Sequence, residues 1–207
     1  MKKKGLLNLL SILMLSLIVC SVASAATEKR GAAAFYSGGG FKNLSITKNI
    51  RYYATPEVKN YFGTYITNAI NTWSSISGVD FGFTEIKKDG IDWLFEKPEL
   101  MIFNSDNNPS LQGMGGIMIP CNWDSNFNCN TTSIYSRWDS STVLVSKDYV
   151  ETEKYTTANR RWLLVHEIGH MYALDHQDKS IQSVMEHPQG TISTPTSLDL
   201  YNLNWKY

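Results

Sequence analysis

Apolar residues recur at three- and four-residue spacing through the first third of the chain. The pattern begins at Val58, directly after Thr55-Pro56-Glu57, a triplet typical of a helix start with proline in the first turn. It ends before Gly78, which breaks it. The pattern predicts an amphipathic helix with one buried face, whose apolar positions are Tyr61, Phe62, Tyr65, Ile66, Ala69, Ile70 and Trp73.

Short runs rich in β-branched and aromatic residues lie on both sides of this helix and predict strands. Residues 45–54 precede the helix, and residues 79–86, 99–105, 115–119 and 141–146 follow it, separated by loops of Gly, Asn, Asp and Pro. The run 115–119 (GGIMI) is a candidate edge strand along which an extended peptide can pair through its backbone. Its glycines indicate a simple bulge equally well.

A second long helix is predicted from Thr156 or Thr157, either of which can cap it, through ANRRWLLVHEIGHMYA. A last apolar patch in SLDLYNLNWKY predicts a short closing helix. These elements in this order predict an α+β fold with a mixed twisted sheet and two long helices. No linker interrupts residues 27–207, so we expect one domain with an upper part to about residue 176 and a small lower part, residues 177–207.

The first 26 residues follow a different pattern. A Lys-rich start, an apolar run from Leu9 to Val19 and the small residues Ala23-Ser24-Ala25 are typical of a secretory signal peptide, and they predict an extracellular protein of a bacterial host. A membrane anchor is the alternative, but the apolar run is short for a span and a cleavage pattern follows it. Residues 27–41 are small and Gly-rich, and they predict a flexible lead-in.

Charge and cysteine content change when the signal peptide is removed. The remaining chain has 16 basic and 19 acidic residues, a net charge of −3, which gives no reason to expect nucleic acid or a membrane as partner; we expect a monomer. The remaining cysteines, Cys121 and Cys129, are close in sequence. In an exported protein they are expected to form a disulfide, and two free thiols are the alternative.

Three of the four histidines of the chain lie within the eleven residues HEIGHMYALDH, 166–176. On a helix, His166 and His170 are turned by only about 40° from each other, so two imidazoles on one face can hold one metal ion. His176 would point about 240° away if the helix continued. The chain is therefore predicted to break near Ala173 and to turn back, which brings His176 to the same ion.

Three protein ligands leave one coordination position open, which is typical of a catalytic zinc site. Glu167 lies about 100° round the helix from His166, too far to join the ligands but close enough to reach a water molecule at the ion. The residues therefore predict one catalytic Zn²⁺ with Glu167 as general base. The alternative, ordinary surface or core histidines on a helix, has to explain the third histidine as chance.

HEIGHMYALDH resembles the H-E-x-x-H-x-x-G-x-x-H signature of the metzincin zinc peptidases, and QSVMEHP resembles their Met-turn. The resemblance is specific over residues 156–188, and over residues 45–207 the order of elements is similar to that of the matrixin-like, minimal members. It implies a metzincin-like catalytic domain with three zinc ligands, His166, His170 and His176, and Glu167 as catalytic base. It also implies that Met185 lies beneath the zinc as a hydrophobic floor.

Two positions near this signature need separate interpretation. Ala173 stands where the family has a left-handed glycine, a replacement that costs roughly 1 kcal/mol. His187 stands two residues after Met185, where several metzincin subfamilies place a tyrosine near the zinc. A hydrogen bond from His187 to the developing oxyanion is one interpretation, and an exposed loop residue is the other.

A calcium site is the remaining candidate for metal binding. Asp106, Asn107, Asn108 and Asp178 carry oxygen ligands of the kind Ca²⁺ takes, although Asp and Asn in loops more often form turns. The combined prediction is a secreted zinc metalloendopeptidase acting on a protein or peptide. The alternatives are a secreted zinc-containing binding or toxin-like module without protease activity, and a zinc hydrolase of non-peptide amides.

Overall fold

The computed structural model describes residues 26–88, 90–106, 108–111 and 113–207. Four α-helices lie within these ranges: α1 (Pro56–Ser74), α2 (Lys147–Thr152), α3 (Thr157–Met171) and α4 (Ser197–Lys206). The strands in the same ranges are β1 (Gly40–Phe41), β2 (Ile50–Ala54), β3 (Phe83–Glu85), β4 (Leu100–Asn104), β5 (Gly116–Trp123), β6 (Cys129–Thr131), β7 (Arg137–Trp138), β8 (Ser140–Val145), β9 (Gln177–Asp178) and β10 (Glu186–His187).

Six of the strands form one mixed sheet in the order β3-β2-β4-β8-β5-β6. The strands β3, β2, β4 and β8 run parallel to one another, whereas β5 runs antiparallel to both β8 and β6. The predicted fold class, an α+β domain with a mixed sheet and two long helices, is confirmed. The antiparallel strand β5 lies beside α3 and packs against it.

The two long helices pack against each other behind the sheet. Thr55 caps α1 by accepting from the Val58 N–H, and the buried face of α1 contains Phe62 and Trp73, as its apolar spacing predicts. The indole N–H of Trp73 donates to the Val165 carbonyl of α3 at 3.0 Å. This contact fixes α3 at the end where the motif histidines lie.

Thr156 begins α3 with a capping box, in which its side chain and that of Asn159 satisfy each other's backbone N–H groups. Every residue of α3 from Trp162 to Met171 is buried. A helix with no exposed stripe at this end is surrounded by protein on all sides, so side chains on it are held in fixed directions.

Residues 27–41 are not a flexible lead-in, and that prediction is wrong. The segment forms a 3-10 helix, Gly31–Ala34, and the strand β1, which pairs parallel with β7. The side chains of Phe35 and Phe41 are buried, and Phe35 forms a bridge with Leu174. Two aromatic anchors stabilise a segment whose sequence has no periodicity.

Several predicted boundaries shift. Only the second half of 45–54 is a strand, because the side chain of Asn43 caps a 3-10 helix at Leu44–Asn49. The strand predicted at 115–119 continues to Trp123, where β6 pairs with it and the disulfide Cys121–Cys129 joins the two strands, as predicted. The predicted signal peptide, residues 1–26, lies almost wholly outside the described residues. No helix within the described residues is long and apolar enough to cross a membrane.

Candidate metal centre

The helix α3 ends where the histidine spacing requires it to end. Its last residue is Met171, and Ala173 has a left-handed backbone with φ of 62°. The N–H of Ala173 donates to the His170 carbonyl at 2.8 Å, and the N–H of Leu174 donates to that of Gly169 at 3.3 Å. These bonds close the helix end and reverse the chain, which carries His176 back towards α3.

His166, His170 and His176 converge on one point. Their Nε2 atoms are 3.1 Å apart between His166 and His170, 3.0 Å between His170 and His176, and 3.2 Å between His166 and His176. A tetrahedral zinc site with bonds of about 2.0–2.1 Å separates its nitrogen ligands by about 3.3 Å. Among the described residues, these three are the group of His, Cys, Asp or Glu that can hold a metal ion.

The hydrogen bonds on the far side of the rings fix the tautomers. His166 Nδ1 lies 3.0 Å from the Val184 carbonyl, and His170 Nδ1 lies 2.8 Å from the Leu174 carbonyl. A carbonyl only accepts, so both Nδ1 atoms carry the proton and both Nε2 atoms carry a lone pair. Two buried lone pairs therefore face each other at 3.1 Å with no proton between them. A cation at this point removes the repulsion.

Burial keeps all three imidazoles neutral, which is the form that binds metal. Burial, together with the neighbouring histidines His170 and His176, holds the pKa of His166 well below 6.5. Burial is also the main cause that lowers the pKa of His170 to about 4 and that of His176 to about 3. The site is therefore ready for a cation across the neutral pH range.

Glu167 lies next to this group in a buried position, 5% exposed. Burial raises the pKa of its carboxyl group from 4.5 to about 8, and a hydrogen bond from the Met118 backbone N–H opposes that rise. A carboxyl group with a raised pKa and no salt-bridge partner is poised to take up a proton near neutral pH.

The strand β5 contacts this carboxyl side chain directly. A Cβ atom added to Gly116 would meet Glu167 Cγ at 3.1 Å and Leu163 Cδ1 at the same distance. In the sequence this contact is marked by the glycine pair of GGIMI, which predicts an edge strand or a bulge. The absence of a side chain at Gly116 is what lets β5 lie against Glu167.

Met185 packs against α3 at Gly169. It is buried, and a Cβ atom added to Gly169 would meet its Sδ atom at 2.5 Å. The loop before it is held by Asp199 of α4, whose carboxylate accepts from the Ser183 hydroxyl and from the Val184 N–H. The same loop offers the Val184 carbonyl to His166, so Met185 and His166 share one support.

His187 lies at the rim of the site. Its ring stacks on that of His176, with centroids 4.1 Å apart and an angle of 25° between the planes, and the residue is exposed. It is neither part of the converging triad nor remote from it. The stacking was not predicted, because neither interpretation of His187 placed it against His176.

The predicted calcium ligands use their oxygen atoms for protein contacts. Asp106 accepts from Asn104, from the Ser146 hydroxyl and from the Asp148 N–H, and these bonds lower its pKa despite partial burial. Asp178 forms a turn with Ser180. Asn108 accepts from the Ser110 N–H, and Asn107 lies outside the described residues. The turn-forming interpretation accounts for these contacts.

Two contacts of the site were not predicted because they come from distant parts of the chain. Asp175 accepts from the His176 N–H through one oxygen and forms an ion pair with Lys29 through the other. The hydroxyl of Tyr36 lies 3.0 Å from His170 Nδ1. Both Lys29 and Tyr36 belong to the segment that the sequence indicated as flexible.

Comparisons with known proteins give structural likeness alone. No protein-family model matches the chain, and no curated protein matches it. The fold is similar to the solved structure of myroilysin, with 11% identity and a TM-score of 0.40 over 75% of this chain and 90% of that one. It is also similar to high choriolytic enzyme 1, a hatching-enzyme zinc protease of the medaka fish Oryzias latipes, with 9% identity and a TM-score of 0.34 over 73% of this chain and 54% of that one.

Proposed function

We propose that the protein is a zinc-dependent metalloendopeptidase that is exported and acts on protein or peptide substrates. The observation that carries the proposal is the pair of buried histidine Nε2 lone pairs facing each other at 3.1 Å, beside a buried carboxyl group. An ion in this position satisfies three neutral imidazoles, a donor set that suits Zn²⁺. The HEIGHMYALDH stretch and Met185 support membership in the metzincins by resemblance.

Each residue has a distinct part in the proposed reaction. His166, His170 and His176 hold the ion through Nε2, and when bound the zinc polarises a carbonyl group and makes a water molecule acidic. Glu167 accepts the proton released from the attacking water and delivers it to the leaving amine. Its raised pKa suits both steps, because the group then gains and loses a proton at similar cost near neutral pH.

The free edge of β5 supports an extended peptide as substrate. The Ser146 N–H donates to the Gly115 carbonyl and the Thr132 N–H to the Pro120 carbonyl, so odd positions of this strand pair with β8 and even positions face the opposite way. Gly116 and Met118 therefore direct their backbone groups to the outer edge, and in the described residues pairing along this edge begins at Pro120. The Met118 N–H reaches Glu167, so this edge and the base share one cleft.

Glu167 also argues against a purely structural metal site. The Glu167 carboxyl group would be ionised at neutral pH in the unfolded chain, so burying it lowers the stability of the fold. Its raised pKa has the same cause. A metal site that serves only the fold gains nothing from that cost. A zinc hydrolase acting on a non-peptide amide would use the same residues, and the β5 edge is the feature that favours a peptide.

Cleavage of a mixed peptide library, mapped by mass spectrometry, tests the proposal. The zinc-loaded wild type is expected to cut internal peptide bonds, and Glu167→Ala is expected to lose turnover by about 10²–10⁴-fold while it retains zinc. Glu153→Gln, a change at an exposed carboxylate, is the matched control and should cut at the wild-type rate. Equal cutting by Glu167→Ala and wild type, or none by either, would refute the protease assignment.

A further inference from the structure

Tyr36 lies against a proposed zinc ligand although it is 134 residues away from it in sequence. Its hydroxyl oxygen is 3.0 Å from His170 Nδ1, and the two rings are close to parallel, with centroids 5.6 Å apart and 28° between the planes. The backbone N–H of Tyr36 donates to the Ala173 carbonyl at 2.9 Å, at the turn that ends α3. The tyrosine therefore contacts both the ligand and the turn that follows it.

The direction of the hydroxyl contact follows from the tautomer of His170. Its Nε2 atom faces the other two histidines, so its proton is on Nδ1 and the ring N–H can only donate. The Leu174 carbonyl accepts at 2.8 Å and the Tyr36 oxygen at 3.0 Å, so one N–H is shared between two acceptors. Two acceptors fix the rotation of the ring more closely than one.

The segment that carries Tyr36 is held in place by the residues that precede the tyrosine. Before it, the Gly31 N–H donates to Asn202 of α4 at 3.0 Å, and the Asp175 N–H donates to the Ala34 carbonyl at 2.8 Å. The ring of Phe35 stacks on Trp205 with centroids 6.0 Å apart. The closing helix thus keeps the segment in place, and the position of Tyr36 is set by packing rather than by a free loop.

We propose that Tyr36 is a positioning residue for the metal centre, which orients His170 and raises the basicity of its Nε2 atom by accepting the Nδ1 proton. Hydrogen-bond partners of a metal-bound histidine act in this way, and their loss typically weakens metal binding by about 10–100-fold. The inference rests on the metal site of the proposed function. It adds the N-terminal segment to that site.

Chelator competition measures the effect directly. Tyr36→Phe keeps the stacked ring and removes only the hydroxyl, and the expected result is a zinc dissociation constant about tenfold higher than that of wild type. Tyr135→Phe is the matched control: this tyrosine is 63% exposed and touches the edge of Tyr36 at 6.0 Å between centroids. It should bind zinc as wild type does. The Co²⁺ form should show a shifted visible absorption band in Tyr36→Phe alone.

The outcomes separate this inference from the proposed function. Tight zinc binding by wild type with the same affinity and the same Co²⁺ spectrum in Tyr36→Phe would overturn the role of Tyr36 and leave the metal site intact. No zinc binding by wild type would overturn both. Urea unfolding of the metal-free variants gives the remaining control, because a hydroxyl that only aids packing would lower stability without changing the affinity of the folded protein for zinc.

Discussion

Gly169 lies where α3 packs against Met185, and its replacement by alanine tests that packing. The glycine is buried in the last turn of α3, two residues before the helix ends at Met171. A Cβ atom there would lie 2.5 Å from Met185 Sδ and 3.2 Å from Trp73 Cζ2. Because ordinary contacts begin at 3.4 Å, the thioether of Met185 has to move by about 1 Å.

Two effects of opposite sign decide the result. Alanine is favoured over glycine in a helix interior by about 1 kcal/mol. Overpacking a filled core costs about 1–3 kcal/mol, and Met185 has little room since it is 1% exposed. We therefore expect Gly169→Ala to lower the free energy of unfolding by about 1 kcal/mol. At Gly63 of α1, where a Cβ atom meets only Lys59 Cβ at 4.0 Å, the same change should raise it by about 1 kcal/mol.

Urea denaturation of both metal-free variants beside wild type is the assay. The expected difference between the two variants is about 2 kcal/mol, well above the error of midpoints compared at a common slope. Zinc affinity of Gly169→Ala should also fall, because the displaced methionine packs against the helix turn that carries His170. If Gly169→Ala stabilises the protein as much as Gly63→Ala does, Met185 is not packed against the helix in the way described.

Three further predictions follow from the same contacts. His187→Ala should lower kcat/KM by about tenfold with zinc content unchanged, and a variant as fast as wild type would assign His187 to the exposed-loop interpretation. Alkylation of the unreduced, denatured protein should label neither Cys121 nor Cys129, and replacing both by serine should cost about 2–3 kcal/mol of stability for a loop of this length. In the metal-free protein, between pH 4.5 and about 8, the Glu167 carboxyl group is protonated in the folded chain and ionised in the unfolded chain. The free energy of unfolding therefore falls by about 1.4 kcal/mol per pH unit as pH rises through this window. Glu167→Gln should therefore gain on wild type as pH rises through this window, and parallel pH profiles would contradict the burial argument.

Local signals predicted the elements that carry the motif. The helix α3 has a capping threonine at its start and apolar spacing along its length, both within one segment, and the ligand spacing alone required a turn near Ala173. Five of the six strands of the main sheet were predicted from β-branched and aromatic composition, and β6 was not. Their ends were less accurate because a cap such as that of Asn43 competes with the strand over the same residues.

What the sequence did not predict depends on contacts between distant segments. The segment containing Tyr36 has few apolar residues and many glycines, and it is ordered by partners more than 130 residues away, such as His170 and Asn202. The strands β7 and β9 are two residues long and exist through pairing with β1 and β10. No local propensity distinguishes such short strands from loops, since their stability comes from the partner.

More residues depart from the usual preferences of helices and buried side chains at this site than anywhere else in the fold as described above. Within 166–176, a carboxyl group is buried without a cation, two lone pairs face each other, a glycine occupies a helix interior and an alanine has positive φ. Each feature lowers the stability of the metal-free chain, by roughly 1 kcal/mol for the alanine alone. A metal ion offsets the facing lone pairs, the turn at Ala173 supplies the third ligand, and Gly169 makes room for Met185. Because these departures cluster around the point where three histidine Nε2 atoms converge, their coincidence is typical of a functional site and supports the proposed metal centre more strongly than any one of them does.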